Sequence, residues 1–150
     1  CSSDLFHDKR SLFLHVFARY TSLRNQTLRQ RLAQQADGRA KIAELLRFYL
    51  ESVSEIEGRR GCLVVGSAIE LGQLDAELSG LVRTALERNQ QSILQLLEEG
   101  KQDGSVHPRH DAHALSSVLL CLVLGMRVVG KAGELPAHDR LVATVMTLLE

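Results

Sequence analysis

His107, His110, Asp111 and His113 fall within seven residues of one another, and imidazole with carboxylate is a donor set that divalent cations accept. With Asp111 expected as the cap of a solvated helix start, the three histidines have no fourth ligand at motif spacing, and no metal is assigned. Gly61 to Ser67, GCLVVGS, has the glycine spacing of a phosphate-binding loop but lacks the lysine that must follow the second glycine. Its glycines are expected to serve close helix packing. There is no Gly-x-Ser-x-Gly elbow, no Cys–His arrangement readable from spacing, and no Glu-x-x-His repeat of a di-iron bundle. An enzyme is therefore unsupported and no cofactor is expected. Cys1, Cys62 and Cys121 are odd in number and widely spaced, which opposes a disulfide framework and suits a reducing cytoplasm. Cys62 and Cys121 sit in apolar stretches, where a thiol usually packs as a small hydrophobe.

Asn89 is the most informative polar residue. It falls inside an apolar stripe, between Leu86 and Ile93, and a buried amide needs partners: a ligand, a water, or the edge of the stripe. Phe17, Tyr20, Phe48 and Tyr49 are core by default and would line a cavity only where helices splay.

The elements that must position these residues are helices, because apolar residues recur at three and four spacing almost throughout and nothing alternates like a strand. Leu12, Phe13, Val16, Phe17, Tyr20 and Leu23 trace one face from Ser11 on, with Asp8 or Ser11 as cap and Arg19 and Arg24 pointing away. A second helix follows Asp37-Gly38 with the stripe Ile42, Leu45, Leu46, Tyr49, Leu50 and Val53. A short helix is expected from Cys62 to Leu71. A long one capped by Asp75 carries Leu78, Leu81, Val82, Ala85, Leu86, Ile93, Leu96 and Leu97 and ends near Gly100. Asp111 can cap a helix to about Val129 that is apolar on nearly every side, and the last helix runs from His138 to Glu150. One small domain cannot cover such a central helix all round, so a partner subunit is expected, with two final hairpins forming a four-helix bundle.

At 150 residues, 45% hydrophobic and 24% charged, the chain is one domain's worth of folded protein. Net charge is zero, which gives the whole chain no electrostatic pull toward nucleic acid, but residues 1–31 balance at +4 and the remainder at −4. The stretch Val118 to Val129, broken by Gly125 and Arg127, reads as too short to span a membrane.

Asp8-Lys9-Arg10-Ser11-Leu12-Phe13, followed by Val16, Arg19 and Tyr20, resembles the segment that joins the DNA-reading helix of TetR-family regulators to the next helix. GCLVVGSAIELGQLDAELSGLV, the long helix to LLEEGKQDGSV and the final apolar hairpin are similar to that family's regulatory domain. Ser2-Ser3-Asp4-Leu5-Phe6 resembles the end of the recognition helix, although His7-Asp8-Lys9 follows about three residues earlier than in the family pattern. The resemblance implies an all-α fold, with residues 1–10 a remnant of the helix-turn-helix domain and 11–150 a ligand-binding and dimerisation domain. It implies a cytoplasmic, ligand-responsive repressor that binds operator DNA as a homodimer and is released by a small hydrophobic effector. Lys9 is the one DNA contact carried over. The effector pocket is expected at Phe17, Tyr20, Phe48, Tyr49, Cys62, Val65, Ile69, Leu86, Asn89 and Leu122. Asn89 would be its main polar group in an apolar wall, with no Arg or Lys buried beside it. The dimer interface is expected at Leu115, Leu119, Val123, Met126, Val142, Val145, Met146 and Leu149. The alternative is an all-helical, dimeric interaction module that senses nothing; an enclosed apolar cavity separates the two.

Overall fold

Residues 2–32 contain neither glycine nor proline, and without a breaker nothing ends the helix once it has started. In the computed structural model, which describes residues 2–54, 76–133 and 135–150, they form a single helix, α1 (Ser2–Leu32). The expected start at Ser11 is corrected accordingly: Asp8 and Ser11 lie within α1 and not at its start. Its inward face is also rotated from the expected one. Phe13, Phe17, Tyr20, Arg24 and Leu28 turn toward the body, whereas Leu12, Val16 and Leu23 are exposed.

Helix α2 (Gly38–Ser54) starts where expected, with Asp37 Oδ1 accepting the Ala40 amide at 2.7 Å. Its buried stripe of Ile42, Leu45, Leu46 and Leu50 is the centre of the core. Helix α3 (Ala76–Asp103) continues three residues past the expected stop at Gly100 and ends before Gly104, whose φ of 82° is the left-handed conformation that closes helices. Gly100 has a packing role instead. The start of α2 lies so close to α3 that a Cβ on Gly38 would stand 2.3 Å from the Gly100 nitrogen. Asp103 fastens the same junction by accepting the Gly38 amide at 2.8 Å.

Helix α4 (Ala112–Ala132) has the expected cap, Asp111 accepting the His113 and Ala114 amides at 3.0 and 3.1 Å. It is longer than the sequence reading allowed. Ala112–Gly130 has mean hydropathy 1.9, long and apolar enough to cross a membrane by those measures alone. Here it packs the core through Ala112, Ser116, Leu119 and Val123, and the buried Ser116 hydroxyl is satisfied by the His113 carbonyl at 2.8 Å. Helix α5 (His138–Met146) gives way to a 3-10 turn, Thr147–Leu149, before the expected end at Glu150. Among the described residues there are no strands: α2, α3 and α4 pack on one another and α5 covers α2. The all-α expectation holds.

The expected dimer face needs correcting. Leu119, Val123, Val142, Val145, Met146 and Leu149 are buried within this one chain, Leu119 and Leu149 at 1% exposure, and Leu115 and Met126 pack against the same core. The side of α4 left open is Val118, Cys121, Gly125, Val128 and Val129, with Leu148 exposed after α5. Cys121 is thus exposed and not the buried packing thiol expected.

Candidate functional site

Helix α1 touches the body in two patches. Leu28, near one end, joins the main core, and Phe17 with Phe13 forms a satellite cluster with Val82, Ala85 and Leu86 of α3. Around the Leu28 patch, α1, α2, α3 and α4 leave a cleft of about 540 Å³, with apolar walls at Leu28, Leu45, Ile93 and Leu120 and charged groups at Arg29, Lys41 and Glu99. Asn25, Tyr49, Arg88, Asn89 and Val123 also line a smaller recess that continues it between the two patches, together with Tyr20, Arg24 and Arg127. The recess itself has a volume of about 30 Å³, one water's share of the liquid.

Of the expected pocket residues, Tyr20, Tyr49 and Asn89 do line this space. Phe17 and Leu86 belong to the satellite cluster, and Phe48 and Leu122 to the main core. Cys62, Val65 and Ile69 lie outside the described residues, as does the whole stretch expected to form a short helix, Cys62 to Leu71, with its neighbouring glycines. Leu122 misses because α4 is turned: Leu120, Val123, Leu124 and Arg127, at helical spacing, face the cleft and recess.

The largest departure is charge. Asn89 is not the only polar group, because Arg24, Arg88 and Arg127 line the recess and no carboxylate does so among the described residues. Arg24, expected to point away, lies 4.4 Å from the ring centroid of Phe48, 5.8 Å from Tyr20 and 5.9 Å from Tyr49. Its Nη2 is shut off from solvent without a hydrogen-bond partner. Arg127 stands 5.5 Å from the Tyr49 ring and donates to Tyr20 Oη at 3.4 Å. Sequence held one signal for this: Arg24 lies four residues from both Tyr20 and Leu28, on the stripe itself.

Almost two helical turns on, the charge pattern reverses to full pairing. Arg31 donates to Glu51 at 2.6 and 3.2 Å and also to Glu44, fastening α1 to α2. The Glu51 bond and then Glu44 hold the Arg31 guanidinium more firmly protonated, against desolvation, while Arg31 holds the Glu51 carboxyl below its ordinary range. In the outer cleft Lys41 pairs with Glu99 at 2.7 Å.

Lys9, expected to meet phosphate at a helix N-terminus, lies inside α1 instead, so that part of its rationale lapses. The histidine cluster is engaged locally: His107 Nδ1 accepts the Arg109 amide at 3.1 Å, and the His107 and His110 rings meet edge to face. Among the described residues no three His, Cys, Asp or Glu side chains converge as metal ligands.

A family model described as the tetracyclin repressor-like C-terminal domain matches residues 38–146. No curated protein matches. Among solved structures, a TetR transcriptional regulator from Chloroflexus aurantiacus J-10-FL superposes with a TM-score of 0.77 at 19% identity, covering 94% of this chain and 70% of that one. The TetR family regulator CifR, as a cysteine mutant complexed with 26bp double-strand operator DNA, gives 0.77 at 25% identity, covering 94% and 73%. A TetR family regulator from Cytophaga hutchinsonii gives 0.73 at 15%, covering 87% and 66%. The splayed α1, the helical body behind it and the match over most of that body have one common reading: this chain belongs to the TetR family of transcriptional regulators.

Proposed function

We propose that the protein is a ligand-responsive repressor, acting in the cytoplasm by binding and not by catalysis, which holds operator DNA as a homodimer and releases it when a small molecule enters the cleft behind α1. The cleft carries this reading. It lies between α1 and the rest of the body, so a ligand in it bears directly on the one helix that runs out toward residues 2–10, the proposed remnant of the DNA-binding head. Residues 11–150 would be the sensing and pairing domain. An effector that prefers the α1 position poorly suited to DNA weakens operator binding by that difference in affinity. Lys9, on α1, is proposed as a phosphate contact, which positions the protein without reading sequence.

The homodimer is proposed to form through the open side of α4, Val118, Cys121, Gly125, Val128 and Val129, together with Leu148. Small residues at Cys121 and Gly125 let a partner helix approach closely, and two such hairpins make a four-helix bundle. The test is a mobility-shift titration of the full-length protein on its own upstream region. A palindromic site bound by a dimer, and released by a compound that also stabilises the protein to heat, is the expected result. Equal affinity for unrelated DNA would refute the regulator and favour a dimeric interaction module.

A further inference from the structure

We infer that the effector is an organic acid: an apolar body in the outer cleft with a carboxylate seated in the inner recess between Arg24 and Arg127. This rests on the ligand-sensing reading above and adds a charged headgroup to the hydrophobic effector suggested by sequence.

The recess concentrates positive charge without an answering one. Arg24 from α1, Arg88 from α3 and Arg127 from α4 line it, and no Asp or Glu does so among the described residues. A guanidinium nitrogen buried without a partner is costly, and Arg24 Nη2 is in that state. The rings of Phe48, Tyr20 and Tyr49 hold the guanidinium in place through their electron-rich faces, but they accept none of its in-plane donors. The contrast with Arg31, seven residues along the same helix and fully engaged by two glutamates, marks Arg24 as the exception.

Geometry narrows the anion. A carboxylate is compact and planar and matches the guanidinium fork. Its neighbours offer further donors, the side-chain amides of Asn25 and Asn89. The adjoining cleft of about 540 Å³, walled by Leu28, Leu45 and Ile93, takes the remainder of the molecule. Bound there, the acid would bridge α1 to α4 at a seam where like charges now face each other, which is how a headgroup would set the position of α1.

Aryl carboxylates from benzoate to naphthoate, each beside its own carboxamide, are the probes, titrated calorimetrically into the full-length protein. The acid of a pair is expected to bind at least about tenfold tighter than the amide, since a hydrogen bond to a charged group is the stronger kind. Arg24→Gln and Arg127→Gln should each remove most of that preference and leave amide binding intact; Arg24→Lys should keep part of it. Two positions are used because Arg24→Gln also removes the stacking on Phe48, and circular dichroism identifies a variant that fails to fold. Acids and amides binding equally would overturn the charge assignment and leave the sensing cleft standing. If no member of either series binds, the sensing cleft falls and this inference with it.

Discussion

Arg24 and Arg31 stand almost two turns apart on α1, and their surroundings give them opposite roles. Arg31 meets Glu44 and Glu51 and acts as a clamp between helices; Arg24 meets aromatic faces and an open recess. The clamp makes a pH prediction. Because Arg31 depresses the Glu51 pKa in the folded protein, the stabilisation is complete above the ordinary carboxylate value of about 4 and is lost as pH falls through the lower folded value. Glu51→Gln should therefore melt below the unaltered protein at neutral pH, and the gap should close in acid. Both partners are partly exposed, so screening holds the neutral-pH gap to about 1 kcal/mol or less. Thermal melts of the two proteins across that pH range would check it, and a gap that persisted in acid would assign the loss to packing instead.

Helix α2 depends on the approach of its first residue to α3, because Gly38 and Gly100 leave no room for a side chain between the backbones. Gly38→Ala should cost about 1–3 kcal/mol or more, since what it meets is backbone and cannot rotate away. Gly104→Ala meets nothing in space but carries a positive φ, and should cost about 1 kcal/mol through strain alone. Chemical denaturation of the two variants ranks them; a larger loss at Gly104 would contradict the packing explanation. Gly38 reads from sequence as an ordinary helix start after Asp37, and Gly100 as a helix stop. Pattern alone cannot distinguish a glycine that ends a helix from one that admits a neighbour, because the neighbour belongs to another part of the chain.

For the assembled molecule, the open side of α4 and the buried side of α5 lead to opposite expectations. Val118→Asp or Val129→Asp, on the open side, should turn a dimer into monomers that retain their helical spectrum and melting temperature in dilute solution. Val145→Asp, on the core-facing side of α5 at 8% exposure, should instead unfold the chain, because a lone carboxylate in an apolar core has no partner. Sizing chromatography with circular dichroism separates the outcomes, and monomers from Val145→Asp with intact structure would restore the interface read from sequence.

Helicity, the start of α2 after Asp37, the Asp111 cap and the family itself are legible without a structure, since each depends on neighbours within a turn or on a pattern carried along the chain. Which face of a helix turns inward is decided by what packs against it. On α4, one position along the chain is about 100° of rotation, and that difference moves Val123 from a supposed interface to the cleft and Leu122 from the cleft to the core. On α1, the absence of a breaker extends the helix until its inward stripe passes through Arg24, a residue whose charge argues for solvent. Only the meeting of four helices around that guanidinium, with aromatic faces on one side and no carboxylate lining its recess among the described residues, makes it a candidate binding group, because electrostatic compensation is a property of the assembled site.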